Sequence, residues 1–390
     1  MALYSDTYSD FNYRIILCFL LAASILFCCP LLGMILKGIS MDRFLEFPPV
    51  TGYVSHAPNN ELIFWAGLVI SCSLLCPVLL RFFRALKASR VLGPSSSFPK
   101  WGFGALLLMF VAWASSWGLL PLPKWIRMWS FTPLWVGFIV FVNALTTWRL
   151  GTCLLLRRPE AFVGLFLLSC VFWWYFEFLN RFVQNWYYMG VSELGPVRYS
   201  VMASLAFSTV LPAVMSLNEL LKSVQTFEDA FNLKKDKRKV PRPLAAGILA
   251  ISALSLSLIG VYPDILFPIV WISPLFVICS LKVLLWLPNL MDFAAQKEFG
   301  PLVRLSTSGL ICGFFWEMWN YLSYPRWLYS IPFVGQCKVF EMPILGYMGY
   351  LPFGLECAAV SSLLIPLWDI CFQGPSGIGQ GTGKGESTKV

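Results

Sequence analysis

Residues 171–188, "VFWWYFEFLNRFVQNWYY", and residues 313–329, "GFFWEMWNYLSYPRWLY", each end an apolar run with Glu-x-x-Asn, followed by a Trp and then a Tyr. The three-residue spacing puts Glu177 and Asn180 on one helix face, and Glu317 and Asn320 likewise. A charged side chain at mid-membrane costs roughly 2.5–3.5 kcal/mol on insertion scales, so such groups turn inward and find partners. A protonated Glu held by an Asn amide is a candidate proton donor or substrate ligand. The competing reading is an interhelical hydrogen bond that only joins helices. Glu177 lies nearer the end of its run and fits that second reading better, whereas Glu317 fits both.

A third acid, Glu356, lies well inside the last apolar run, "YLPFGLECAAV". Pro352, four residues earlier, frees a backbone carbonyl there, which suits a broken helix lining a cavity. Glu317 and Glu356 together make a candidate acid/base pair, with Glu177 as a weaker catalytic candidate. Glu341 in "VFEMP" reads as interfacial, and Glu219 as a solvated residue at a helix end.

Around these acids the chain is crowded with aromatics: Trp173, Trp174, Trp186, Tyr187 and Tyr188, then Trp316, Trp319, Tyr321, Trp327 and Tyr329. Trp and Tyr belts at membrane boundaries are ordinary. Aromatic faces also stabilise a cation in a dry cavity, so Trp316, Trp327, Trp186 and Tyr329 are candidate substrate contacts beside Asn320 and Asn180. Arg181 and Arg326 could grip a polar headgroup or simply anchor helix ends. No phosphate loop, Ser–His–Asp set or dinucleotide fingerprint is present. His56 is the single histidine, and the twelve cysteines are scattered without a CxxC, so neither a metal nor a cofactor is expected.

These residues sit in a 390-residue chain that is 58% hydrophobic and only 13% charged. Soluble domains carry about 25% charged residues, so the expected fold is an all-α polytopic membrane bundle. Windows of about 20 apolar residues give ten expected helices, near 14–36, 61–83, 102–121, 131–150, 161–180, 199–221, 243–262, 265–286, 304–323 and 345–371. The first is read as a retained span. With the amino terminus on the cytoplasmic side, twenty-one of the 29 basic residues fall on that side and eight on the other, which predicts both termini cytoplasmic. The run "KKDKRKVPR" (234–242) dominates that balance. The net charge of +9 is therefore read as orientation beside a membrane, and nucleic acid is not an expected partner. Membrane lipids and a hydrophobic small-molecule substrate are. Nothing in the sequence specifies an oligomeric state.

The order of landmarks repeats. Pro99, Gly118 and Pro121 recur as Pro241, Gly260 and Pro263 at a constant offset of 142. Glu177, Asn180 and the pair Leu211–Pro212 recur at 140 as Glu317, Asn320 and Leu351–Pro352, and Trp186 recurs at 141 as Trp327. Trp135 matches Trp271 if a loop has lost six residues. The expected organisation is two amino-terminal helices (1–98), a four-helix copy (99–225), a basic linker (226–240), a second four-helix copy (241–372) and an unstructured Gly/Ser-rich tail (373–390). An even helix count per copy makes this a parallel repeat about the membrane normal. Glu356 breaks the symmetry, because its counterpart is Ser216.

The Trp-Glu-x-x-Asn pattern in a duplicated, aromatic-rich bundle resembles membrane-integral isoprenoid cyclases, of the heterodimeric-type lycopene cyclase and fungal meroterpenoid cyclase kinds. The resemblance covers the spans holding Glu177 and Glu317, and it implies an intramembrane acid with Glu317 as the candidate. An intramembrane enzyme acting on a lipid or isoprenoid is thus one expectation. A transporter built from two rocking copies and a structural assembly subunit are the alternatives.

Overall fold

In a bilayer every backbone N–H and C=O must be satisfied within the segment, so charge-poor runs become helices. The computed structural model describes residues 2–88, 93–232 and 236–372. The tail 373–390 and linker residues 233–235 lie outside the described residues. The longer helices are α1 (Ala2–Leu36), α2 (Glu61–Ala88), α3 (Lys100–Ser116), α4 (Phe131–Leu150), α5 (Pro159–Val183) and α6 (Gly195–Phe207). They continue with α7 (Val210–Leu221), α8 (Arg242–Leu258), α9 (Ser273–Leu284), α10 (Phe299–Tyr321) and α11 (Tyr350–Phe372).

Among the described residues six stretches are long and apolar enough to cross a membrane: Asp10–Leu36, Glu61–Lys87, Phe131–Leu150, Pro159–Val183, Gly195–Leu221 and Ile344–Ile370. The pair Pro263–Trp271 and Ser273–Leu284, bent by 51°, makes a seventh if taken as one span. The chain is a helical membrane protein, with fewer clear spans than the ten expected from apolar windows. The others fall short for visible reasons. Helices α3 and α8 are each 17 residues long, against the ~20 needed. Helix α10 is long enough, with 23 residues, but carries Arg304, Glu317 and a Ser-Thr-Ser run.

Helix α4 packs on α3 and α7, α8 on α9 and α1, and α10 on α11 and α7. Trp135, Trp319, Phe176 and Phe353 are fully buried between them. By contrast α2 is largely exposed and touches the bundle near its ends, at Thr226–Phe231 and Ile344–Gly349.

Two short strands follow the Glu-x-x-Asn helices. Strand β1 (Trp186–Met189) pairs antiparallel with β2 (Arg326–Tyr329), in the register Trp186↔Tyr329, Tyr187↔Leu328 and Tyr188↔Trp327. Segment 40–60 straps over this pair. Tyr188 donates its N–H to Thr51 Oγ1 (3.4 Å), and Ser330 Oγ donates to the Val54 carbonyl (2.6 Å). His56, a loop residue, ties the strap to Asp264 (2.6 Å) and to the Gln184 carbonyl (3.1 Å). Glu219 is also not solvated, as its helix-end position suggested. It is 7% exposed, ion-paired with Arg157, and accepts the Leu154 N–H at 2.8 Å.

Candidate functional site

Helix α5 ends where Gln184 takes a left-handed conformation (φ 51°) and sends its N–H to the Asn180 carbonyl. The Asn180 side chain then fastens the chain that leaves. Its Oδ1 accepts the Asn185 N–H (2.9 Å) and its Nδ2 donates to the Trp186 carbonyl (2.8 Å). Asn320 does the same after α10, accepting the Trp327 N–H (2.9 Å) and donating to the Trp327 carbonyl (2.8 Å). Both asparagines are buried and spend their amides on backbone. The expected Glu–Asn pairing is absent, and each Asn instead holds a strand in front of its Glu.

The glutamates take their hydrogen bonds from aromatics. Glu177 Oε1 accepts from Tyr188 Oη (2.6 Å), Trp186 Nε1 (3.0 Å) and Trp173 Nε1 (3.2 Å). Glu317 Oε1 accepts from Tyr350 Oη (2.6 Å) and Tyr329 Oη (2.7 Å), and Trp327 Nε1 donates to Tyr329 Oη (2.8 Å). Both acids are wholly buried, and the Oε2 of each has no hydrogen-bond partner among the described residues. Tyr188 and Tyr329, on the strands, are pushed well above the ordinary tyrosine pKa, first by burial and then by the adjacent carboxylate. Their hydroxyls therefore stay protonated donors.

Beside this pair of centres lies an apolar cavity of about 620 Å³. Trp173, Trp186, Tyr188, Trp271, Trp316, Trp327, Tyr329 and Tyr350 line it. Glu177, Glu317, Asn180 and Asn320 are not part of its wall; they stand behind the aromatic layer. Two further tryptophans make long-range ring contacts: Trp135 packs on Trp316 (centroids 5.0 Å apart) and Trp271 on Phe176 (5.1 Å).

Arg326 is in the cavity wall and reaches Glu341 (3.2 Å) and the Tyr321 carbonyl (2.8 Å). Arg181 lies outside it, lining a small polar cleft with Arg43 and donating to the Phe44 carbonyl. Glu356 is wholly buried with neither oxygen bonded among the described residues, and the two donors at Glu317 are tyrosines, not this acid. Sequence reasoning missed Tyr350, which has no counterpart in the first Glu-x-x-Asn stretch, and undervalued Trp173. For Trp173 the signal was its four-residue spacing from Glu177 along one helix, whereas Tyr350 reaches Glu317 from the next long helix. Comparison with protein-family models, curated proteins and solved structures gave no match.

Proposed function

We propose that this protein is an intramembrane acid/base enzyme acting on a lipid or isoprenoid, in the manner of a cyclase or isomerase. The observation that carries the reading is the joining of a buried acid to an apolar cavity by tyrosine hydroxyls. Tyr329 and Tyr350 both donate to Glu317 and both line the cavity. A proton starting on Glu317 would pass through such a hydroxyl to a substrate double bond, the tyrosine giving one proton as it takes another. The Trp and Tyr faces would stabilise the resulting cation. Loss of a proton back to the same pair closes the cycle, so a cyclisation or isomerisation needs no redox partner. The resemblance to membrane-integral isoprenoid cyclases at Glu317 points the same way.

The reading includes a duplicated scaffold with ten crossings, two helices ahead of two four-helix copies, and both termini cytoplasmic. The strand register supports the duplication. Shifting by 141 residues carries the pair Trp186↔Tyr329 onto Trp327↔Tyr188, and Tyr187↔Leu328 onto itself, as a twofold axis between the strands requires. The two Asn clamps and the reciprocal crossings of Trp135 and Trp271 agree with that axis.

Breaks between α6 and α7 and at the 51° bend favour a second reading, transport of a lipid by rocking halves. Lipidomics of a strain lacking the protein separates the two. Accumulation of one unmodified lipid is the outcome expected of the enzyme. An unchanged set of lipid species with altered distribution across the membrane would favour transport and remove the enzyme reading.

A further inference from the structure

His56 is the single histidine of the chain, and histidine is the side chain whose charge ordinarily changes between about pH 5 and 8. Both of its ring nitrogens meet groups that accept. Nε2 lies 3.1 Å from the Gln184 carbonyl oxygen, and Nδ1 lies 2.6 Å from Asp264 Oδ1. The other Asp264 oxygen accepts the Ala57 N–H at 3.0 Å. A neutral imidazole carries one N–H and one lone pair. The carbonyl cannot donate, so Nε2 must carry a proton. A bare Nδ1 would then face a carboxylate oxygen, lone pair to lone pair, at 2.6 Å. A second proton therefore lies between ring and carboxylate, and the arrangement holds only while the pair keeps it.

Other charged groups on the surrounding elements are bonded elsewhere. Arg181, in the last turn of α5, donates to the Phe44 carbonyl and shares its cleft with Glu46. Lys37, just after α1, donates to the Val261 carbonyl, and Tyr53 of the strap packs on Tyr187. Among the described residues Asp264 is thus the one carboxylate bonded to the ring. The His56 side chain is 7% exposed and that of Asp264 34%, so solvent reaches the pair from the carboxylate side while the ring has little water to turn to.

What the pair fastens is the strap, at a mechanically sensitive place. Gln184 is the left-handed residue that ends α5, and β1 begins two residues later. Strand β1 sets Tyr188 in front of Glu177. The strap's other holds are single hydrogen bonds: Thr51 to Tyr188, Val54 to Ser330, and residues 57 and 60 to Phe333.

We propose that His56 and Asp264 form a proton-operated latch. With its shared proton the pair clamps the strap onto the end of α5. On losing that proton it releases the strap and loosens the cover over β1 and β2. In the orientation proposed above the latch faces the non-cytoplasmic compartment and responds to its acidity. It works in this way whatever the cavity binds.

Hydrogen–deuterium exchange of the full-length protein in lipid nanodiscs tests the latch. Labelling runs from about pH 5 to about pH 9, beyond the histidine range at its upper end, with times scaled to the intrinsic exchange rate. In the wild type, protection of amides 51–60 and 186–189 should fall at least about tenfold towards the alkaline end, while α4 stays constant. Asp264→Asn is the deciding variant. Its Oδ1 still accepts from Ala57, its Nδ2 donates to a neutral Nδ1, and Nε2–H still reaches the Gln184 carbonyl. The strap should then stay protected over the whole range. His56→Gln, which has no proton to lose, should show the same protection at both ends. Wild-type protection that does not change with pH would overturn the latch, as would a fall shared equally by α4. So would an alkaline loss in Asp264→Asn or His56→Gln as large as in the wild type.

Discussion

At the residue scale the two acid centres differ in where an indole points, Trp186 donating to Glu177 but Trp327 to Tyr329, and in one exchange of donor. In the first, Trp173 reaches Glu177 from the preceding turn of the same helix. At the matching position of α10 stands Gly313, and the space is filled by the Tyr350 ring, which would lie 2.3 Å from any Cβ added there. At the same sequence offset of 140, Val210 is the residue that corresponds to Tyr350. An indole N–H donor is thus replaced by a hydroxyl, and a hydroxyl can relay a proton whereas an indole N–H does not. Tyr350→Phe is therefore expected to lower product formation by about a hundredfold, the low end of general-acid contributions, with folding preserved; assay of product against protein level checks it. Gly313→Ala should cost about 1–3 kcal/mol through overpacking, seen as a lower melting temperature in detergent. The glutamates and asparagines were legible from their apolar surroundings alone. Their partners were not, because a three-residue spacing suggests that Glu meets Asn, while the fold turns each Asn to the backbone beyond its helix.

Between elements, the strand pair is what sets the tyrosines in front of the acids. Each strand is held by an asparagine that makes hydrogen bonds to backbone on both sides of its amide. Asn180→Ala and Asn320→Ala should each destabilise by about 1–3 kcal/mol, the cost of leaving buried backbone groups unsatisfied. Chemical-denaturation midpoints would register it, and Asn320→Ala should also depress product formation by displacing Tyr329. The long helices could be read from hydropathy because a bilayer leaves a charge-poor run little alternative. The strands could not. Four residues such as "WYYM" and "RWLY" show no clear alternation, and their pairing joins segments about 140 residues apart. The tether from His56 to Asp264 was hidden for the same reason, since its partners lie 208 positions apart.

For the whole molecule the account predicts a side for each end of the bundle. In a cysteine-free variant, a Cys at Lys237 in the linker should be protected from an impermeant label outside the cell, and a Cys at Asn59 in the strap should react. The reverse pattern would contradict the charge-derived orientation. The account also makes the two halves unequal: one acid centre acts and its counterpart holds the fold. Glu→Gln keeps the size and the oxygen that accepts from the tyrosines, but it removes the transferable proton. The direct measurement is the product lipid made at matched protein levels by Glu317→Gln and Glu177→Gln. The first should lose at least about a hundredfold, and the second should retain most of the activity. Full product from Glu317→Gln would contradict the account.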